Sequence, residues 1–262
     1  MDMVVCVKRV PDTAESEVHI DASGKDIEKG RLSFGINEAD NYAVEEAIQI
    51  KERLGGTVTV ISMGGKDADE QIRMALAKGA DEAIRLDDPA FAGSDGFAIA
   101  KAIAAAVKDL SYELILTGAL ADDDGFAMVG VALAELLGIN HAAYVKKVET
   151  LDGKVKVGRE LEGGLLEFVE MTLPAVLTIQ TGINEPRYAS FKGIKLAAKK
   201  EIAVKGVSDL GLDAAEVGEA GAWATLAQFT PPVMGEMAEI LQGEPDETAA
   251  KLATVLKEKG LV

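Results

Sequence analysis

The sequence predicts an α/β protein: a doubly wound parallel sheet with an antiparallel strand extension and a C-terminal arm. Three observations carry this. Short apolar runs alternate with helical-period segments of 11 to 17 residues as far as Gly138, the pattern of right-handed βαβ units. From about Ala142 the hydrophobic period becomes two. There Gly163-Gly164 turns one alternating run back on another, and the second stops at Pro174 before the apolar run Ala175 to Ile179. Beyond Gly182 sheet character fades into a basic segment, a Gly/Asp/Glu-rich linker from Gly206 to Gly221, and an arm.

Taken in order, Met3 to Val7 is an apolar run that suits a buried central strand, ending at Lys8-Arg9. Pro11 blocks continuation of either regular element, so Lys8 to Thr13 is expected to leave the sheet. Glu17 to Ile20 and Asp26 to Leu32 flank the turn Asp21 to Gly24, a small hairpin. Asn37 can N-cap a helix on which Ala43, Ala47, Ile48 and Leu54 recur at helical spacing, closed by Gly55-Gly56. Thr57 to Ser62 reads as the second buried strand. A helix from about Asp67 to Lys78 buries Ile72, Ala75 and Leu76, and Gly79 closes it as a C-cap glycine does.

Glu82 to Leu86 is the third strand. Ser94 or Asp95 caps an alanine-rich helix to about Lys108, and Leu114 to Thr117 is the fourth strand. A loop from Gly118 to Gly125 leads into a helix from Phe126 to Leu137, stopped by Gly138. In the arm, Pro231-Pro232 makes a break and Asp246 to Lys259 a final helix with Leu252, Val255, Leu256 and Lys259 on one face. A lone amphipathic helix of this length is marginal in water, so it should dock on something.

A chain of 262 residues can bury one large core, or one core and a smaller appendage. With 48% apolar and 27% charged residues, the composition is that of an ordinary globular protein. The net charge of −17 argues against nucleic acid or an anionic membrane as partner. It does not argue against one bound nucleotide held by local backbone amides. The single Cys6 excludes an internal disulfide, and with two histidines no zinc site is expected. No apolar run approaches the roughly 18 residues of a membrane span, and the opening apolar run is too short for a signal peptide. The expected location is cytoplasmic.

Doubly wound sheets bind ligands at the carboxyl ends of their strands. Three loops lie there: Cys6 to Arg9, Met63 to Gly65, and Thr117 to Val129. Glycines after a strand let backbone amides approach a phosphate, and the next helix N-terminus adds positive potential. The Gly118 to Val129 loop is the foremost candidate, because it is long and leads directly into a helix. Its run Asp122-Asp123-Asp124 would repel a phosphate unless the carboxylates cap the helix and point away, or a cation sits between them. Capping plus solvation is the plain alternative. Ser62-Met63-Gly64-Gly65-Lys66-Asp67 is similar to the S-G-G-x-D-S loop of ATP pyrophosphatases, which adenylate a substrate. The order differs, and Ala68 stands where the terminal serine belongs, so an adenylating enzyme is a remote alternative. His19 and His141 have no nucleophile or carboxylate at telling spacing and are expected at the surface or an interface. Cys6 reads as a small core residue. No nucleophile, base and orienting group assemble, so the chain alone is not expected to be a catalyst.

Val157, Arg159-Glu160, the trio Glu162-Gly163-Gly164, and Leu173-Pro174-Ala175-Val176 followed by Thr178 resemble the signature of the electron-transfer flavoprotein β subunit. The stretches VVCVKRVPDT, NEADNYAVEEA, IRMALAKGAD and NEPRYAS and the closing helix fit the same family in order, over nearly the full length. The resemblance implies an adenine nucleotide alpha hydrolase-like form of the sheet. It also implies a heterodimer with an α subunit, carrying electrons from acyl-CoA or related dehydrogenases to a quinone oxidoreductase or similar acceptor. FAD would sit mainly in the α subunit. This chain would hold AMP or, in an electron-bifurcating member, a second FAD that oxidises NADH.

Carried over by position, the nucleotide contacts are Cys6, Asn37, Glu38, Ala39, Asp40, Met63, and the loop Gly118, Ala119, Leu120, Ala121, Asp122, Asp123, Asp124, Gly125, Phe126, Ala127, Met128 and Val129. Many members read T-G-x-Q-A-x-D with a later glutamine; Leu120 and Met128 replace both glutamines here, while Gly118, Asp123 and Gly130 are retained. That shifts the expected contacts to the backbone. Val10, Pro11, Asp12 and Thr13 would lie near the flavin. This stretch looks more like the bifurcating group, yet Ala119 and Leu120 stand where that group has arginine and glutamine, so AMP and FAD both stay open. Tyr188, Phe191, Ile194 and Leu196 fall in a segment that resembles the partner-docking loop, with Phe191 as apolar anchor. The implied organisation is a nucleotide-binding α/β domain with its hairpin extension over 1–182, a recognition segment over 183–205, and an arm over 206–262 that docks on the α subunit. A free-standing nucleotide-binding sensor, homodimeric and needing neither hairpin signature nor arm, is the alternative from another class.

Overall fold

The computed structural model describes residues 1–13, 17–233, 235 and 238–262, so positions 234 and 236–237 of the expected arm lie outside the described residues. The first strand, β1 (Met3–Cys6), is buried along its whole length, as an apolar run covered on both faces should be. The chain then leaves the main sheet, as expected, but Pro11 does not end regular structure: β2 (Arg9–Pro11) pairs antiparallel with β3 (Phe34–Ile36) in a separate two-stranded ribbon. A two-stranded ribbon has free edges, and at an edge a missing N–H costs no ladder bond. The hairpin expected between Glu17 and Leu32 shrinks to a single bridge, Ile20 with Ile27, because residues 29–31 wind into a 3-10 turn instead.

Next come α1 (Glu38–Leu54), stopped by Gly55, and β4 (Val58–Met63). A 3-10 turn precedes α2 (Asp69–Lys78), where Gly79 follows at φ 140°, a conformation that excludes other side chains. β5 (Glu82–Leu86) leads to α3 (Gly96–Val107), whose N-cap Asp95 accepts a 2.9 Å bond from Ala98 N–H. After β6 (Leu114–Gly118), α4 (Val129–Leu137) begins three residues later than expected. Ala127 adopts φ 53°, which a right-handed helix starting at Phe126 cannot contain. The period-two region forms β7 (Asn140–Leu151), β8 (Lys154–Glu160), β9 (Leu166–Thr172) and β10 (Ala175–Ile179). The remainder holds α5 (Phe191–Ala197), β11 (Ala203–Lys205), the single turn α6 (Gly218–Gly221) and α7 (Pro245–Glu258).

Nine strands make one sheet in the order β11-β5-β4-β1-β6-β10-β7-β8-β9, parallel from β11 to β7 and antiparallel across β8 and β9. Two expectations about the C-terminal third need correcting. Sheet character does not end at Gly182, since β11 pairs in parallel with β5. Nor is Gly206 to Gly221 a bare linker, because Val207, Leu210 and Val217 are buried in the core. Both features were hidden by brevity: three strand residues and three isolated apolar anchors give no readable period. By contrast, α7 fully buries no residue: on its apolar face Leu252 is exposed, and Val255 and Leu256 are only half-buried.

Alternation along the strands splits the core into two layers. Met3 and Val5 face α1 and α2 together with Val60, Leu116 and Leu177, whereas Val4, Cys6, Ile61 and Ile115 face α3 and α4. The crossover through α3 returns the chain from the β4–β5 side of β1 to its other side, at β6. The strand order therefore reverses between β1 and β6, which is where a doubly wound sheet opens its ligand crevice.

Candidate functional site

A cavity of about 140 Å³ occupies that crevice. One wall is apolar: Ile61 and Met63 from β4, and Ile99 and Ile103, one turn apart on α3, with Met128 and Val129 at the start of α4. The opposite wall is largely polar backbone, from Cys6 to Lys8 and from Gly118 to Ala121, with the side chains of Asn37 and Asp40. Gly96 borders the cavity because a Cβ there would stand 2.5 Å from Met128 Cγ, so only glycine lets α3 and Met128 close the apolar side together.

Asp40 is the brace of the site. From the first turn of α1 its buried carboxylate accepts Lys8 N–H at 2.7 Å and Gly118 N–H at 2.9 Å, tying together the chain ends that leave β1 and β6. A side chain at Gly118 would run into that carboxylate and the backbone of Asp40. Burial pushes the Asp40 carboxyl up to about 7, against the pull of its N–H donors. Burial, and after it the charge of Asp40, pushes the Cys6 thiol up to about 12, so Cys6 is an inert small core residue beside the cavity.

The loop from Gly118 to Val129 is held by groups far away in sequence. Asn37 does not cap its own helix: its Nδ2 donates to Leu120 O at 2.9 Å and its Oδ1 accepts Asp122 N–H at 2.8 Å. Asp122 takes over the capping, accepting Glu38 N–H at the start of α1 at 2.9 Å. The cation among the three carboxylates is the chain's own Lys8, whose Nζ donates to Asp123 at 2.6 Å and Asp124 at 2.8 Å. Burial works against its charge, but those two hydrogen bonds prevail and hold Lys8 above the usual lysine range. The acidic run thus caps α1 and latches the loop to the end of β1. The N-terminus of α4 carries no side-chain cap, so amides at its first turn stay available beside Met128 and Val129, which line the cavity.

Of the residues expected to touch a nucleotide, the cavity lining brings together Cys6, Asn37, Asp40, Met63, Gly118 to Ala121, Asp124 and Phe126 to Val129. Glu38, Ala39, Asp122, Asp123 and Gly125 stand outside the lining, Ala39 packed behind Gly118 and the others in the latch or at the turn. Sequence reasoning missed the wall made by Ile61, Gly96, Ile99 and Ile103. The i, i+4 isoleucine pair in an otherwise alanine-rich helix was the available signal. Val10 to Thr13 do not border the cavity: Val10 is buried in the β2–β3 ribbon, while Asp12 and Thr13 are exposed. In the loop compared with ATP pyrophosphatases, only Met63 reaches the cavity, and Asp67 pairs with Arg9 at 3.1 Å. His19 and His141 are both exposed.

The docking segment stands apart from the cavity. Tyr188 is 98% and Phe191 89% exposed, with Ile194 and Leu196 also exposed on α5. Arg187 fixes their base: Nε donates to buried Glu45 at 2.9 Å, and the guanidinium forks onto Glu52 at 2.5 and 3.0 Å. Ser190 then caps α5 through Gly193 N–H at 3.0 Å.

Comparison with known proteins agrees with this architecture. Residues 27–210 match the family model described as the electron transfer flavoprotein domain. The chain is 40% identical, over the full length of both, to the electron transfer flavoprotein subunit beta of Thermoanaerobacterium thermosaccharolyticum. It is 37% identical to the subunit of that name from Methylophilus methylotrophus, across 98% of each chain. It is also 37% identical, over the full length of both, to the caffeyl-CoA reductase-Etf complex subunit CarD of Acetobacterium woodii. A match at this identity along the whole chain, on a doubly wound sheet with its crevice at β1 and β6, places the protein in the electron-transfer flavoprotein β-subunit family.

Proposed function

We propose that this chain is the nucleotide-holding half of a heterodimeric electron carrier, with AMP in the crevice between β1, β4, β6 and α4. The observation that carries this reading is the pairing of an enclosed apolar wall with an uncapped helix N-terminus at its mouth. A flat base fits between Ile61, Met63, Ile99 and Ile103. The amides at the start of α4 answer a phosphate, which asks nothing of the missing glutamines.

In this reading the redox chemistry is supplied by FAD held mainly in the α subunit. The chain's own residues bind, brace and dock. Lys8 and Asp40 hold the nucleotide loop closed. The exposed aromatic pair Tyr188 and Phe191, with Ile194 and Leu196, receives an acyl-CoA or related dehydrogenase. The arm beyond Gly221, with the apolar face of α7, docks on the α subunit, while a quinone oxidoreductase or similar acceptor takes the electrons. The setting is cytoplasmic; no helix among the described residues is long and apolar enough to cross a membrane.

A second reading, FAD in the crevice and NADH oxidised there, is favoured by the Val10 to Thr13 stretch and by the relative from a caffeyl-CoA reductase complex. Co-expression with the α subunit, acid extraction and quantification of nucleotides separates the two. One FAD and one AMP per heterodimer is the expected result. Two FAD and no AMP would establish the second reading and overturn the first.

A further inference from the structure

The crevice between β1 and β6 opens beside the loop that follows β6. Deep in its lining Ile61, Gly96 and Ile103 are buried, whereas Leu120, Asp124 and Phe126 of the loop border the same cavity and are exposed. An occupant therefore enters and leaves past the loop, whose tip is residues 123–127.

The loop is held unevenly. Its stem, Gly118 to Asp122, is fixed by Gly118 N–H on Asp40, by Leu120 O and Asp122 N–H on Asn37, and by Asp122 on Glu38 N–H, all at 2.8 or 2.9 Å. The tip has no such ties. Among the described residues, its hydrogen bonds and ion pairs to groups outside the loop run to Lys8 Nζ alone. Within the tip, Gly125 and Ala127 stand at φ 64° and 53° on either side of Phe126. A Cβ on Gly125 would meet nothing within 4 Å, so no packing fixes that turn. Left-handed backbone at a non-glycine residue such as Ala127 is unfavourable and persists only while its surroundings hold it.

The post of the latch is rigid and its hook is not. Lys8 N–H is pinned by Asp40 at 2.7 Å, and Lys8 O accepts Asn37 N–H at 2.9 Å. The side chains of Lys8, Asp123 and Asp124 are 34%, 30% and 36% exposed, so their ion pairs meet water and are screened by salt. Such a hold can break and re-form without disturbing the stem.

We propose that residues 123–127 are a gate on the crevice with Lys8 as its latch: the tip swings at Gly125 and Ala127 to admit and release the nucleotide, and Lys8 sets how often. The inference rests on the nucleotide reading of the crevice. Lys8 acts here as a positioning residue, through the tip. A gate that is mostly shut slows entry and exit by the same factor, so the nucleotide stays longer without being bound more tightly.

The test is exchange of radiolabelled AMP on the heterodimer, paired with hydrogen-exchange mass spectrometry of the loop. Lys8→Met keeps the aliphatic stem and the backbone N–H on Asp40, and Asp123→Asn/Asp124→Asn cuts the latch from its other side. Both variants should raise the association and dissociation rates of AMP together, about tenfold or more, and leave Kd within about threefold. Amides of the tip should exchange faster in both, with those of the stem unchanged. Rising salt should speed release from the wild type and not from Lys8→Met. A faster dissociation alone would make Lys8 a direct nucleotide contact and overturn the gate, as would rates that neither variant moves. A wild type that takes up no AMP fails the nucleotide reading instead, and hydrogen exchange then judges the latch by itself: tip protection indifferent to Lys8→Met overturns it.

Discussion

Asp40→Asn isolates the brace of the nucleotide crevice, because the change removes a charge while keeping the size of the side chain. The wild-type carboxyl rises from 3.8 to about 7 on folding, since burial disfavours its ionised form. Between those values the folded state holds a proton that the unfolded chain has released, so stability falls as pH rises through this window. It is fully present below about pH 4 and lost beyond the folded value. From pH 5 to pH 8 the folded wild type crosses about two pH units before its carboxyl ionises, a loss of roughly 3 kcal/mol at 1.36 kcal/mol per unit. The asparagine variant lacks this slope. It keeps one acceptor oxygen for Lys8 N–H and Gly118 N–H and loses the other, a constant cost of about 1–3 kcal/mol. Thermal unfolding followed by circular dichroism at pH 5 and pH 8 reads the difference. Wild type should lose about 6–12 °C more than the variant between the two pH values, taking 2–4 °C per kcal/mol for a chain near this size. Parallel pH profiles would show that Asp40 is ionised throughout and would refute the assignment of burial as the dominant influence.

Three further outcomes follow from the geometry. Gly96→Ala puts a Cβ 2.5 Å from Met128 Cγ and turns that side chain into the cavity, so AMP per heterodimer should fall at least severalfold while the unfolding temperature drops by only a few degrees; unchanged AMP content refutes the apolar wall. Arg187→Ala strands the buried Glu45 and should cost about 2 kcal/mol at pH 7, with faster amide exchange confined to residues 187–200, as read by hydrogen-exchange mass spectrometry. Phe191→Ala removes an exposed ring, so stability should stay within about 0.5 kcal/mol while electron transfer from the partner dehydrogenase loses about tenfold or more in kcat/KM.

The sheet was largely legible because its signals are local. The apolar run from Met3, Gly79 after α2 and the Gly163-Gly164 turn each announce an element within a few residues. The site was legible as a set of loops but not as a mechanism of closure. Three adjacent aspartates read as a charge problem for phosphate, yet their counter-ion is Lys8, 115 residues earlier, and their helix is α1 rather than α4. Asn37 looked like the cap of the helix it precedes, but a tertiary partner at Leu120 and Asp122 competed for the same amide. The apolar wall escaped notice because Ile99 and Ile103 also satisfy an ordinary buried helix face. β11 escaped because three residues at a sheet edge carry no period.

The central claim is that the crevice at β1 and β6 holds a mononucleotide through the first turn of α4. Titrating the heterodimer, stripped of nucleotide under mild acid and refolded, with AMP by isothermal calorimetry tests it directly. One site per β chain, weakened strongly by Gly96→Ala and left intact by Phe191→Ala, is the expected result. A folded heterodimer that binds no AMP, or binds it with equal strength when Met128 is driven into the cavity, would contradict it.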